Sequence, residues 1–426
     1  MAARDFQAAP AHPRDITITN ARLLGDWFGL LPHLADQGVV PTLTWVSDMV
    51  GNPIGGLRQG FTESENLGLN IAVDLDKFAG WKGATFTVSL SQRSGSSLTK
   101  NYIGNQFNVQ QVFGGETFRL VNLNVRQELL DGNLVVQLGR MPAGDNFLTS
   151  PYYWVFVQNG IDGNPVGIFL NAPGMTAYPT ATWGARVLVR PTERTYLNFG
   201  FFNGDPTLGL NENHGADFSF RGPLFFVAEA VWQRNMIQGD AGLPGNYKLG
   251  VYYNDGPFQD LASKVLGPAA PAFNVTANPR NGNAGVYALV DQGVLRFGEE
   301  GSRRGLGLFG AFLFAPDEEY NTMPFFMNGG MAFRGPFAAR PTDFGGIAVI
   351  YGRYSGDQRA AQRQLQTVNP SVGVQTHEVA LEANYAFRIR DGRVIFQPDV
   401  QYIIRPSGTG LIPNALVLGF QLALNF

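Results

Sequence analysis

The chain has no cysteine among its 426 residues, which excludes disulfides and thiolate chemistry. No window of about 20 apolar residues exists, so no transmembrane helix is predicted. Charged residues are only 15% of the chain, which limits the charged outer surface, and the net charge of −3 argues against nucleic acid as a partner. With only four histidines and no Gly-Lys-Ser/Thr loop, no metal or cofactor is predicted. Glycine (53) and phenylalanine (33) are abundant instead.

The final stretch, Leu416–Phe426, alternates strictly between two kinds of side chain. Its even-numbered positions are all leucine or phenylalanine, and its odd-numbered positions are valine, glycine, glutamine, alanine and asparagine. A strand places alternate side chains on opposite faces, so one face is apolar and the other is small or polar. In a soluble protein the apolar face would point into a core. In an outer-membrane barrel it would point at lipid, and the polar face at a watery lumen.

Recurrence of this alternation along the chain favours the barrel. Seventeen candidate strands begin near residues 41, 67, 84, 117, 133, 182, 194, 214, 224, 246, 284, 305, 326, 345, 378, 393 and 415. A closed bacterial barrel has an even number of strands. We therefore expect about sixteen, with the first candidate as the suspected error; a strand hidden near 273–277 would give eighteen instead.

The connections and the two strand faces indicate closure. Tight turns are predicted at 131–132, 190–194, 222–223 and 391–392, and long connections at 92–116, 141–181, 255–283 and 355–377. Polar faces with Asp, Glu and Arg are too costly to bury in a soluble core, and apolar faces on nearly every strand cannot all face water. A closed sheet in lipid satisfies both faces and leaves no edge. The fold predicted is all-β, a transmembrane antiparallel β-barrel.

Residues 1–40 are predicted to form an N-terminal extension with a short helix, and residues 41–426 the barrel. Residues 1–22 are polar and contain prolines, so we expect them to be extended or loose. Asp26 is the predicted cap of a helix that ends near Gly38. No apolar stretch typical of a signal peptide follows Met1, so an exported chain would have lost its signal before residue 1. The terminal Phe426 is the predicted assembly signal, read by the insertion machinery.

Short stretches spread over nearly the whole chain resemble the carbohydrate-selective porins of OprB type. They are Leu24–Trp27, Gly51–Gly56, Gly80–Gly83, Ile103–Asn105, Leu138–Arg140, Asp291–Gln292, Arg334–Asp343 and Gln397–Pro406. Phe28 follows Trp27 where the family usually has glycine, so the local turn departs from the family pattern. The resemblance implies a barrel of about sixteen strands in the bacterial outer membrane, with loops folded inward, through which glucose-like sugars diffuse passively without catalysis.

A pore that prefers sugars needs fixed donors and acceptors that replace water, and flat aromatic faces for the C–H surfaces. The lumen-parity charges predicted to line it are Arg93, Arg126, Glu128, Arg186, Arg190, Glu229, Glu378, Glu382 and Arg388. The loop 141–180 is the predicted constriction, since it carries Asp145, Tyr152, Tyr153 and Trp154. Packing of these aromatics against the wall, without substrate contact, remains the competing interpretation. The loop 92–116 is a second candidate.

Two further functions stay open on the sequence. Arginine predominates among the basic residues, which makes a broad or organic-acid diffusion pore the first alternative. A structural barrel whose loops dock a partner is the second. Small sugars and outer-membrane lipid are the predicted partners, and both a monomer and a homotrimer are compatible with the sequence. No enzyme is predicted: Glu318-Glu319 reads as a loop charge pair, and His377 near Ser371 lacks the spacing of a catalytic triad.

Overall fold

The computed structural model describes residues 21–237, 240–299 and 302–426. Within that part of the chain sixteen antiparallel strands close into one barrel, each paired with its sequence neighbours and β1 with β16. The strands are β1 (Val39–Ile54), β2 (Phe61–Asp74), β3 (Ala84–Gly95), β4 (Thr117–Leu129), β5 (Leu134–Met141), β6 (Thr182–Thr192), β7 (Thr195–Asn203), β8 (Leu224–Arg234), β9 (Gly245–Phe258), β10 (Arg280–Arg296), β11 (Gly305–Phe314), β12 (Phe325–Arg334), β13 (Phe344–Arg353), β14 (His377–Ile389), β15 (Val394–Ile404) and β16 (Ala415–Asn425).

Five α-helices accompany the barrel in the described residues: α1 (Leu30–Asp36), α2 (Leu75–Ala79), α3 (Gly167–Asn171), α4 (Leu261–Leu266) and α5 (Gly356–Val368). None of these described helices has the length and apolar content needed to cross a membrane. Most of the loose extension predicted for residues 1–22 lies outside the described residues. The helix before β1 is present, but Asp26 does not cap it. Trp27 (φ 54°), Phe28 (φ 59°) and Gly29 (φ 86°) adopt left-handed backbone conformations, which delays the helix to Leu30.

Two-residue periodicity sorts the side chains of β16 as the sequence predicts. Leu418 is 44% exposed on the outer wall, whereas Val417 is fully buried on the lumen side. The Gln421 amide, on the same parity as Val417, donates to the Asp48 carboxylate on β1 at 2.8 Å. The register Trp45 opposite Leu424 places the apolar residues of both strands on one face. At the seam that closes the barrel, the leucine and phenylalanine side chains of β16 therefore look outward, and Gln421 and Asp48 look inward.

The connections fall into two classes at opposite ends of the barrel. The turns 130–133, 193–194 and 390–393 lie at the short-turn end, together with α1 and the end of β16. The connections 96–116, 142–181, 204–223, 259–279 and 354–376 lie at the long-loop end. This confirms the predicted separation of short turns from long loops. The separation is not strict, because the connection 55–60 at the long-loop end is shorter than the connection 75–83 at the short-turn end.

The predicted strand near residue 214 is wrong, and the suspected first strand is real. Residues 204–223 form one long loop, so 222–223 is not a tight hairpin turn. Part of this loop pairs with the start of β4, which has no β5 neighbour because β5 ends at Met141. The Leu120 N–H donates to the His214 carbonyl at 2.9 Å, and the Trp183 indole donates to the Asp217 carbonyl at 3.0 Å. The segment near 273–277 holds no strand; a helical turn ends at Phe273.

Candidate functional site

Two connections from the long-loop end, 96–116 and 142–181, fold into the barrel. Phe107 and Phe147, one from each loop, are fully buried. Phe107 packs edge-to-face on Phe326 of β12 with ring centroids 5.6 Å apart, and Phe147 on Phe202 of β7 at 6.2 Å. These contacts bury apolar loop surface against the inner wall, so both loops narrow the lumen.

The inner wall that receives the loops is apolar, which the strand alternation does not reveal. Phe225 on β8, Leu289 on β10, Phe309 on β11 and Ile350 on β13 all point inward and are buried. Because the outward residues of these strands are apolar as well, the sequence shows hydrophobic runs without a clear polar face. One side of the lumen is therefore lined by carboxamides, and the other carries these apolar residues and binds the inward loops.

Two glutamates on β14 hold the inward loops by main-chain hydrogen bonds. Glu378 accepts from the N–H groups of Gln106 at 2.8 Å and of Phe107 at 2.9 Å. Glu382 accepts from the N–H groups of Val157 at 2.8 Å and of Gln158 at 3.0 Å. Both glutamates are on the predicted lumen parity but lie buried beneath the loops. Their carboxylates fasten the loops and do not face open lumen.

Three other inward carboxylates act in the same way. Glu229 accepts from the Leu148 N–H at 3.0 Å, Asp48 from the Val112 N–H at 3.2 Å, and Asp291 from the Ser150 hydroxyl. Each acceptor is buried. Buried charge is tolerated where hydrogen bonds satisfy it, and Glu229 also has Lys248 Nζ at 3.6 Å. Glu229 is thus a loop-fixing residue in this structure, where the sequence predicts a pore-lining one.

The predicted lumen arginines occupy different environments. Arg126 pairs with Glu128 and both side chains stay partly exposed. Arg186 is buried and donates to the Asn198 carboxamide at 2.7 Å, and Arg190 lies 5.3 Å above the Tyr196 ring. Arg388 is also buried, at the end of β14. Arg126, Glu128 and Arg190 therefore keep access to water, whereas Arg186 and Arg388 are covered.

The three consecutive aromatic residues of the loop 142–181 separate. Tyr153 is fully buried, and its hydroxyl donates to the Asn328 carboxamide at 3.3 Å. Tyr152 stacks on Phe309 with centroids 6.0 Å apart. Burial raises the pKa of both tyrosines, so their hydroxyls stay neutral donors. Trp154 instead lines an open cavity in the lumen, which we call the main cavity. The interpretation of wall packing therefore describes Tyr153, whereas Trp154 is available to a solute.

That main cavity has a volume of about 640 Å³ and lies between the inward loops and the polar wall. Three charged residues line it, Arg93, Asp145 and Asp162, together with Trp154 and Tyr178. Arg93 donates to the carbonyls of Gln111 at 3.4 Å and Phe113 at 3.3 Å, and lies 5.5 Å above the Tyr178 ring. The carboxamides that line it are Asn66, Asn70, Gln111, Asn122, Asn124, Gln137, Asn146, Gln397, Gln421 and Asn425.

We call the asparagine and glutamine side chains that line the main cavity the carboxamide wall. Sequence reasoning missed them because charged residues are selected first as candidates. Asn122 and Asn124 alternate with Leu123 and Val125 on β4, which is the signal that could have found them. Tyr178 carries no such signal, since it lies in an irregular segment after α3 and reaches the cavity only through loop folding. Arg93, Asp145 and Trp154 are the predicted site residues that the cavity brings together.

Comparison of the sequence with known protein families agrees with a channel whose lumen is narrowed by two inward loops. The family model described as "Carbohydrate-selective porin, OprB family" matches residues 58–426. The chain belongs to this family. The porin is 29% identical to Porin B of Pseudomonas aeruginosa over 437 residues, covering 98% of this chain and 94% of Porin B.

Two further comparisons agree. The porin is 26% identical to the protein named "Putative porin QuiX" of Acinetobacter baylyi, over 95% of this chain and 93% of that one. Its fold superimposes on a solved structure of Pseudomonas putida OprB, described as the high-pH structure, with a TM-score of 0.86 and 28% identity, covering 94% and 97% of the two chains. The porin is an outer-membrane channel for the passive diffusion of carbohydrates.

Removing the partly exposed ion pair of Arg126 and Glu128 tests whether these two side chains line the path of the sugar. Arg126→Ala/Glu128→Ala is expected to change sugar flux in a liposome swelling assay while leaving the folded barrel intact. Partly exposed ion pairs contribute only ~0–1 kcal/mol to stability, so the free energy of unfolding should change little. Unchanged flux would reject both residues as part of the path.

Proposed function

We propose that the porin selects neutral, glucose-like sugars by binding them weakly in the main cavity. The carboxamide wall carries this proposal. A carboxamide both donates and accepts hydrogen bonds, so it can replace water around a hydroxyl whichever role that hydroxyl takes. Weak binding is a requirement, because a solute that is held tightly does not leave the pore.

Two groups that line the cavity complement the carboxamides. Trp154 offers a flat ring to the C–H face of a pyranose. Arg93, fixed by two carbonyls and by the Tyr178 ring, offers a guanidinium whose position needs no further ordering when a solute arrives. Preorganised donors of this kind bind a hydroxyl without paying additional side-chain entropy.

The charge of the cavity supports a neutral solute over an organic acid. Asp145 and Asp162 outnumber the single cation, Arg93, among the described lining residues. An organic acid entering here would meet more negative than positive charge, which opposes binding. No catalytic step is part of this proposal: the carboxamides and the ring reversibly exchange water for sugar.

Trp154 provides the test. In planar bilayers, glucose is expected to block the ion current through the native porin, and Trp154→Ala should weaken the apparent affinity for glucose about three- to tenfold, the equivalent of ~0.5–1.5 kcal/mol for an aromatic contact. Trp154→Phe should retain most of the block because it keeps a ring.

Trp232→Ala is the matched control. It removes a tryptophan that is exposed on the outer wall and stacks on Tyr247, so glucose block should stay as in the native porin. A native porin that conducts ions but shows no block at millimolar glucose would overturn the proposal and favour a broad diffusion pore.

A further inference from the structure

A second cavity opens at the short-turn end, on the side of the barrel opposite the carboxamide wall. It has a volume of about 340 Å³ and lies between the inward loop 142–181 and residues 240–244 and 302–304, which precede β9 and β11. Tyr152 reaches it from the inward loop, whereas Trp154, two residues later, reaches the main cavity. The same loop thus presents an aromatic ring to each of two cavities.

The charge of this second cavity is the reverse of that in the main cavity. Its described lining includes four arginines, Arg296, Arg303, Arg304 and Arg334, and one acidic residue, Asp240. The Asp240 carboxylate is already bound by both terminal nitrogens of Arg194, at 2.7 and 3.0 Å. Positive charge therefore dominates the described surface of this cavity.

Main-chain carbonyls, not carboxylates, position two of these arginines. Arg304 Nε donates to the Gly335 carbonyl at 2.8 Å. Arg296 Nη2 donates to the Gly242 carbonyl at 2.7 Å. A carbonyl fixes the guanidinium plane without neutralising its charge. Each arginine consequently keeps donors for an incoming anion in a defined orientation.

Planar guanidinium forks match a carboxylate, to which they donate two parallel hydrogen bonds. The Tyr152 ring supplies an apolar face of the kind that packs against a sugar. Cationic forks beside an aromatic ring recognise a molecule that has both an anionic end and a carbohydrate body. A neutral hexose would leave the cationic charge uncompensated, and a small inorganic anion would leave the ring unused.

We propose that this cavity is a second solute site, which binds sugar acids through their carboxylate. The site lies on the short-turn side of the inward loops, where a solute that has passed the constriction leaves the barrel. The proposal rests on the proposed function only in that solutes cross the lumen; its residues are separate from those of the main cavity. The porin would then bind neutral sugars in one cavity and acidic sugars in the other.

Current block by two probes that share a carbon skeleton tests the site. D-glucose and D-gluconate are applied to both sides of a planar bilayer that contains the native porin, Arg304→Gln/Arg334→Gln, or the control Arg221→Gln/Arg234→Gln. The control removes the same charge from exposed arginines outside the cavity. Loss of charge-assisted hydrogen bonds should weaken gluconate block at least about tenfold in Arg304→Gln/Arg334→Gln, while glucose block and the control stay within about twofold.

Gluconate block that survives Arg304→Gln/Arg334→Gln, or that falls equally in the control, would overturn the second site. If the double variant does not assemble, the exposed Arg303→Gln replaces it and should weaken gluconate block in the same direction. A native porin blocked by gluconate but not by glucose would refute the proposed function and retain this site. The opposite result, block by glucose alone, would refute this site and retain the proposed function.

Discussion

Replacing Glu378 and Glu382 together with alanine is expected to raise the single-channel conductance severalfold and to abolish glucose block. The two carboxylates accept from the N–H groups of Gln106, Phe107, Val157 and Gln158. Each buried N–H left without an acceptor costs ~1–3 kcal/mol. The inward conformation of both loops would therefore lose several hydrogen bonds at once, and we expect the loops to leave the lumen for part of the time.

Glu63→Ala/Glu65→Ala is the matched control for the loop-fixing pair. These two glutamates are on β2 and face outward, where Glu63 accepts from Ser47 and Glu65 from Trp45. The control changes the net charge equally but touches neither inward loop. Single-channel recordings of both variants separate loop release from a simple charge effect. Native conductance in Glu378→Ala/Glu382→Ala would show that the apolar packing and the other inward carboxylates are sufficient to hold the loops.

An arginine on the outer wall is expected to destabilise the barrel, whereas one in the lumen is not. Ile347 is 56% exposed near the middle of β13 and has Met331 and Ala383 as its neighbours on the adjacent strands. Ile347→Arg should lower the free energy of unfolding by ~2–4 kcal/mol, the cost of arginine on a lipid-facing barrel surface near the bilayer centre. Urea unfolding in the presence of lipid vesicles measures this difference.

Thr44→Arg provides the comparison, because Thr44 lines the water-accessible main cavity. An arginine there keeps its hydration, so the free energy of unfolding should remain close to the native value. Equal destabilisation by both substitutions would contradict the assignment of apolar side chains to lipid and polar side chains to the lumen. Equal tolerance of both would contradict it as well.

Sequence periodicity was sufficient to predict the barrel and which side chains lie on its outer wall. The strict alternation in β16 predicted which of Val417 and Leu418 lies on the outer wall, and that prediction is confirmed. It failed where a loop imitates a strand. Phe218 and Phe220 alternate because both pack on Trp183 from outside the wall, not because they belong to the sheet.

The candidate site was less predictable because loop folding decides it. Glu382 and Glu128 have the same parity signal, yet the first lies under a loop and the second stays partly exposed. The difference depends on where the 142–181 loop lies, which is set by aromatic packing between residues distant in sequence. Local pattern carries no information on such contacts, and the same holds for Tyr178 in the main cavity.

The carboxylates of β14 bind the loops that follow β3 and β5. Each of these loops is therefore attached to the barrel wall twice, once through its own strand and once through the glutamate on the opposite side. These attachments connect opposite sides of the barrel through the lumen and brace its wall from inside. We therefore expect the cross-section open to a solute to stay constant when membrane tension changes.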